Sequence, residues 1–577
     1  MHLVRPYGMI RSVQRKRSRR HDSLGGTQRP LRFEMLESRI VYATSVCTGY
    51  MPYSTLVSKL NSLASSYPTI AKVEPMTYKS VQGKDLWVMH ISDNVTSDEP
   101  DEPSVFFSGV VHGDEPDGAE LSMYLINELL TSTDTNIRNL VNKTDIYIMP
   151  VVNPDGYTAC TRTNNKGYNI NRSFTDYSSD STQSQNQLSN PLSTTTLEAV
   201  AKTAPEAAAV MKYSSEHNFV LSADLHANGG VAVVNYPYDN TTGIRSGDYA
   251  KSPDDDLFKY ISKVYSSRDS QMWDAKSKNA MYGVPFKDAQ GKSVSALTVN
   301  TTFPYGIVNG SDWFAAAGTF QDWHYRYMGT NAVTVEVRDV ANYATSDELW
   351  LANKNSLLAY LQSAHSGVTG KIVDFDNNAL PVRASVTVEA TGTSPAVAIG
   401  KHYVFSNTSD GVFFRMLPPA TYSLTITIAA PGYVTQTFTQ SASVAANISS
   451  TVPPTAATLP SLANLGTFTL KKATAAASAP TSLATKSTAA PMIAPSTSPV
   501  TASSDRPLSS ASPSQASQST AAAVTGPSGK ATSRTATSNT YAQLVDRAFA
   551  DTSSTAVPLG STALRGSVMT KLTKPWG

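Results

Sequence analysis

Residues Ser104 to Glu120 read S-V-F-F-S-G-V-V-H-G-D-E-P-D-G-A-E. The apolar run Val105 to Val111 has the character of a buried strand, and it stops at His112-Gly113-Asp114-Glu115. A helical pattern from Ala119 to Leu130 follows at once. A strand that ends in a histidine and a carboxylate puts both at the rim of a sheet, where open α/β folds collect their ligands. His112 and Glu115 stand three residues apart on a turn, so both can reach one metal ion. An imidazole plus a carboxylate is a catalytic zinc pair that still lacks its third protein ligand. Taken alone, the same spacing describes an ordinary surface turn. The rest of the chain has to supply a ligand, a base and a substrate anchor.

Working outward, apolar residues at helical spacing (Leu56, Leu60, Leu63) run up to Pro68. Val73 to Met76 and Leu86 to Ile91 read as paired strands around a Gln82-Gly83-Lys84 turn. Asp145 to Val152 is another apolar strand, ended by the turn Asn153-Pro154-Asp155-Gly156. Ser173 to Thr196 is polar and reads as a surface loop, and Leu197 to Tyr213 as a helix. Phe219 to Leu225 is a further apolar strand ending in a histidine, His226. Ala332 to Val337 alternates like a strand and holds Glu336 in an apolar frame, and Ser346 can cap a helix to about Ala364. Strands alternating with helices imply an α/β fold with a mixed, mainly parallel central sheet flanked by helices.

From Gly367 the period changes. Val368–Phe375, Ala384–Ala390, Gly411–Met416 and Tyr422–Ala429 are short alternating strands with turn residues between them, the pattern of a small all-β sandwich. The expected divisions are a basic leader over 1–46, a catalytic domain over 47–365, the sandwich over 366–472 and an Ala/Ser/Thr/Pro-rich disordered tail over 473–577. Tyr541 to Ala550 could form one amphipathic helix in that tail. The leader has no apolar core of its own, but Arg32 to Arg39, R-F-E-M-L-E-S-R, resembles the leaders of some bacterial exported proteins. Export or a cell-surface location is therefore expected. The 577 residues carry a net charge of +2, which points to neither a nucleic-acid nor an acidic-substrate partner. No run approaches the roughly 20 apolar residues of a membrane span. Two cysteines exclude a disulfide scaffold and a thiolate-rich zinc site, and Cys47 and Cys160 are expected to stay unpaired.

His226, at a strand end as His112 is, is the natural third ligand. Two histidines and a glutamate, with a fourth position left for water, form the open set of a zinc peptidase. With those residues in view the chain resembles the zinc metallocarboxypeptidases, the funnelin fold, over about residues 50 to 365. The order is H-G-D-E at 112–115, R-T-N-N-K-G-Y-N-I-N-R at 162–172, L-H at 225–226 and T-V-E-V-R-D at 334–339. The resemblance implies zinc held by His112, Glu115 and His226, and Glu336 as general base. It implies that Arg162 polarises the scissile carbonyl, and that Asn171 and Arg172 hold the substrate's terminal carboxylate. A guanidinium binds a carboxylate bidentately, which agrees.

Two further stretches are similar to the carboxypeptidase N/E/D group. They are H-A-N-G-G-V-A-V-V-N-Y-P-Y-D from His226, with two residues inserted, and G-I-V-N-G-S-D-W-F-A-A-A-G-T-F-Q-D-W-H-Y from Gly306. That likeness implies that Asp239 and Gln321 line a pocket for a C-terminal Lys or Arg, and that the sandwich is transthyretin-like. The expected partners are peptide or protein C-termini, and a monomer is expected.

Phe314 stands where the family has a mobile tyrosine, which removes one hydroxyl contact of about 1 kcal/mol, with Tyr305 the candidate substitute. Asn169 stands where the family has the aspartate that orients a zinc histidine. These departures leave a second reading open, a weak or inactive peptide-binding module at a cell surface. A third keeps the enzyme but changes the substrate to a cell-wall peptide or a modified side chain.

Overall fold

In the computed structural model the described residues lie between 47 and 473. The segments 177–192, 228–231, 240–248, 273–285, 295–302, 339–345 and 446–458, with a few shorter ones, fall outside the description. So do the leader, the tail with its expected helix, and most of the Ser173–Thr196 loop.

The chain enters through α1 (Tyr53–Ser66), which buries Leu56 and Leu60. β1 (Ala71–Pro75) and β2 (Trp87–Ile91) then form the expected antiparallel pair. β3 (Ser104–Gly109) leads into α2 (Asp117–Thr131) and α3 (Thr135–Val141), and β4 (Asp145–Met149) into α4 (Pro154–Ala159). α5 (Thr194–Ala201) and α6 (Pro205–Glu216) precede β5 (Phe219–His226) and β6 (Val233–Tyr236). After α7 (Asp255–Ser266) come a small hairpin of β7 (Phe286–Lys287) and β8 (Ser293–Val294), then β9 (Ile307–Asn309). The short helices α8 (Gly310–Phe314) and α9 (Phe320–Trp323), β10 (Asn331–Glu336) and the long α10 (Ser346–Gln362) complete the α/β part.

The sheet has eight strands in the order β1-β2-β4-β3-β5-β10-β6-β9. The centre, β4-β3-β5-β10, is parallel throughout, and antiparallel pairings occur toward both edges. Central strands covered on both faces read as unbroken apolar runs, and every residue of β5 is buried. Successive strand residues point to opposite faces. Phe107 accordingly belongs to one apolar cluster, with Leu125, Leu221 and Leu358, and Phe106 to another, with Met149, Val210 and Phe320.

The expected helix Leu197–Tyr213 is instead two helices, α5 and α6. Pro205 has no N–H to donate into a continuing helix, and it serves as the first residue of α6.

The second part is a sandwich. One sheet runs β13 (His402–Phe405), β12 (Ser385–Ser394), β15 (Ala420–Ala429), β16 (Gln436–Val444). The other runs β14 (Val412–Met416), β11 (Gly367–Asp374), β17 (Ala463–Leu470). β13, β16 and β17 were not among the expected strands. All three lie at sheet edges, where half the side chains face water and polar residues blur the alternation.

The sandwich grips the α/β part through polar contacts. Arg415 Nη2 donates to Asp254 Oδ1 at 2.5 Å, and neither side chain has exposed surface. Tyr403 donates to Arg326 O at 2.6 Å, and His402 Nε2 lies 2.9 Å from Tyr325 O. No helix among the described residues is long and apolar enough to cross a membrane.

One expectation is overturned. Cys47 and Cys160 form a disulfide across 113 residues of sequence. The segment around Tyr50 and Met51 folds back onto the α/β part, because Tyr50 donates to Asp117 Oδ1 and Tyr157 donates to Met51 O, each at 2.7 Å. Such long-range contacts leave no trace in local spacing. Cross-linking so long a loop removes much of the unfolded chain's freedom. The Cys47→Ser/Cys160→Ser double variant should lose about 2–4 kcal/mol of stability, seen as a lower urea midpoint at unchanged slope.

Candidate active site

The site begins with an awkward exit from β3. Val110 has φ +55°, a left-handed conformation that a β-branched residue rarely adopts. It is held there because Asn153 N donates to Val110 O at 3.0 Å and Val152 N to Gly109 O at 2.9 Å. The turn then closes with Glu115 N donating to His112 O at 3.2 Å. Gly113 lies flat against the Asn153–Gly156 turn. A Cβ on Gly113 would sit 2.0 Å from Gly156 C, and one on Gly156 would sit 2.6 Å from Thr161 O. The Asn-Pro-Asp-Gly turn is thus the floor under the His112–Glu115 turn.

β5 lies beside β3, with Gly109 opposite Leu225, and β10 lies on the far side of β5, with Glu336 directly opposite His226. Three strand ends therefore bring His112, Glu115, His226 and Glu336 together. Facing ligand atoms of His112, Glu115 and His226 all lie within 4.8 Å of one another, and all three residues are buried. His112 Nδ1 is 3.0 Å from Glu115 Oε1, and His226 Nδ1 is 2.8 Å from Glu115 Oε2. The other ring nitrogens point away: His112 Nε2 lies 3.1 Å from Asn169 Oδ1, and His226 Nε2 lies 2.7 Å from Asp224 Oδ2. Two imidazole nitrogens and a carboxylate converging in a buried corner fit the protein ligands of a catalytic zinc site.

The electrostatics are strongly coupled. Burial, then the Arg162 charge, pushes His112 down to about 3. Burial works against ionised Glu115, but the two imidazoles hold it well below the usual carboxylate range. Burial likewise opposes a charged His226, yet Asp224 and Glu115 raise it well above the ordinary imidazole value. Burial pushes Glu336 up to about 8, against the pull of His226 and with Glu115 adding to the rise. Glu336 Oε2 is buried and has no hydrogen-bond partner among the described residues.

The other expected residues surround this corner. Arg162, 39 % exposed, donates from Nη1 to Glu115 Oε1 at 2.7 Å. Asn171 is buried, accepts from Phe320 N at 2.8 Å, and its Nδ2 lies 3.4 Å from His226 Nε2. Arg172 is half-buried and donates to Asn171 O at 2.7 Å. Gln321, on α9, donates to Asn235 Oδ1 of β6 at 3.3 Å, and its Oε1 is buried with no hydrogen-bond partner among the described residues. Asp239, half-buried, follows β6 by three residues. The Phe314 side chain and the insertion after His226 lie outside the described residues. Tyr305 has φ +64°, and Lys263 Nζ lies over its ring at 4.3 Å. His217 and His324 pack away from this corner. His217 stacks on Tyr213, and His324 lies against Phe320 and bonds Ser214 at 2.9 Å.

Sequence reasoning passed over two supports. Asp224 stands two residues before His226, so strand alternation puts both on one face, a signal that was there to read. Arg338, two residues beyond Glu336, donates to Asp117 Oδ2 at 2.7 Å, and Tyr50 completes the cluster. Asp117 opens α2, and it is buried and ion-paired.

The family profile described as zinc carboxypeptidase matches residues 56–359. Mouse carboxypeptidase D is 33% identical over 389 residues, which is 65% of this chain and 24% of the relative. This chain thus spans about a quarter of that protein's length. The human carboxypeptidase N catalytic chain is 31% identical over 415 residues, 67% of this chain and 81% of the relative. Among solved structures, carboxypeptidase A from Helicoverpa armigera is 19% identical over 53% of this chain and 71% of its own, with a TM-score of 0.38. With the profile covering more than half of the chain and ending beyond β10, all four convergent residues lie inside the matched region, and the chain belongs to the zinc carboxypeptidase family.

Proposed function

We propose that the protein is a zinc metallocarboxypeptidase that hydrolyses the C-terminal peptide bond of peptides or proteins, with a preference for C-terminal Lys or Arg. The carrying observation is Glu336, whose buried Oε2 has no hydrogen-bond partner among the described residues, directly opposite His226 in the β5–β10 pairing. His112, Glu115 and His226 would hold the zinc. Zinc at such a centre acts as a Lewis acid that polarises a carbonyl and lowers the pKa of water.

Glu336 accepts the proton of the attacking water and returns it to the leaving amine. Arg162, whose guanidinium already reaches the centre, orients the scissile carbonyl. Arg172 and Asn171 hold the free C-terminal carboxylate, and this charge pairing restricts cleavage to a chain end. Asp239 and Gln321 Oε1 supply acceptors for a cationic side chain. The sandwich is of the transthyretin-like kind. The disulfide, together with the leader-like Arg32–Arg39 stretch, supports export to an oxidising compartment.

The test is amino-acid release from peptides that differ only in ending with Lys, Arg or Phe. The zinc-loaded protein should release Lys and Arg fastest, and a chelator should stop release until zinc is restored. Faster release of Phe would sink the specificity. Binding of the Lys peptide at full zinc occupancy without release would sink the enzyme reading.

A further inference from the structure

We infer that Asp224 is the positioning residue of the metal centre, acting through His226, and that it carries the supporting charge which Asn169 does not. The inference rests on the zinc reading of His112, Glu115 and His226.

The two imidazoles have unlike partners. The outer nitrogen of His112 faces a neutral amide oxygen, Asn169 Oδ1, at 3.1 Å. The outer nitrogen of His226 faces a carboxylate oxygen, Asp224 Oδ2, at 2.7 Å. Asp224 has no exposed surface, and its other oxygen accepts from Ser108 Oγ at 2.8 Å. Ser108 is directly opposite Asp224 in the β3–β5 pairing, so both carboxylate oxygens are engaged and the group cannot swing. A buried carboxylate is costly unless it meets a strong donor. The ring N–H of His226 is that donor, and with the proton kept on Nε2 the Nδ1 lone pair faces Glu115. A carboxylate behind an imidazole also raises its basicity as a ligand. The support of this centre is therefore lopsided: His226 is the strongly held ligand and His112 the weakly held one.

A purely structural role would be different. Asp224 would then only staple β5 to β3 through Ser108, and its removal would lower stability without a specific effect on metal. The experiment measures zinc dissociation constants by competition with a chromogenic chelator, and thermal midpoints of the metal-free protein, for the full chain and its variants. Asp224→Asn keeps the shape and should weaken zinc binding about 10–100-fold at a metal-free midpoint equal to or above that of the unsubstituted chain. Asn169→Asp puts a carboxylate behind His112 and should tighten zinc. The Asp224→Asn/Asn169→Asp pair should recover part of the loss. Zinc affinity within about twofold of the unsubstituted chain in Asp224→Asn overturns the inference, against the order-of-magnitude effects usual for such partners. So does a folded Asn169→Asp protein that binds zinc no more tightly, a result that decides the matter if Asp224→Asn does not fold. Failure of the unsubstituted chain to bind zinc would overturn the metal centre itself, which is a separate result.

Discussion

Glu336→Gln is expected to lower kcat/KM for a Lys-ended peptide by about 10²–10⁴-fold, the range for losing a positioned general base. Zinc affinity should hardly move, because Glu336 is not one of the three converging ligands. Stability should hold or rise. The glutamine is the same size, and it replaces a carboxylate that burial already disfavours and whose Oε2 has no partner among the described residues. The combination separates a lost base from a lost fold: turnover collapses while metal content and melting temperature stay. Turnover within about tenfold of the unsubstituted protein would place the base elsewhere, since a base normally contributes at least two orders of magnitude.

Arg415→Met should be the most destabilising single change at the join between the sandwich and the α/β part. Arg415 and Asp254 are both fully buried, and the guanidinium is the charge that answers Asp254. Tyr325 also donates to Asp254, at 3.1 Å, but a phenol cannot neutralise a carboxylate. Removing one partner of a buried pair leaves an uncompensated charge, at a cost of about 3–5 kcal/mol. Arg415→Met/Asp254→Asn removes both charges and should recover most of that loss. Urea unfolding of the two variants measures it. A single variant that loses less than about 1 kcal/mol would mean that water or another group satisfies Asp254, because a surface-like pair is worth no more than that.

The four residues at the heart of the site were legible because each carries two local signals at once. His112 and Glu115 end one apolar run, His226 ends another, and Glu336 sits inside a third. Apolar runs of strand length, cut off by polar residues, announce both a buried strand and its functional end. The sandwich was legible where its strands alternate, as β15 does, and not at its polar edges. Asp224 was overlooked although its spacing from His226 places it on the same face. The disulfide was misjudged for a different reason. Whether residues 113 apart can meet depends on the path of everything between them.

The order of apolar and polar residues along this chain determined the strands, the helices and which side chains stand at strand ends, because burial and backbone hydrogen bonding act on neighbouring residues. Only the tertiary structure decided which ends adjoin, which imidazole has a carboxylate behind it, that Cys47 reaches Cys160, and that Arg415 answers Asp254. Those pairings join residues far apart in the chain, and strand order and packing, not spacing, bring such residues within a few ångströms.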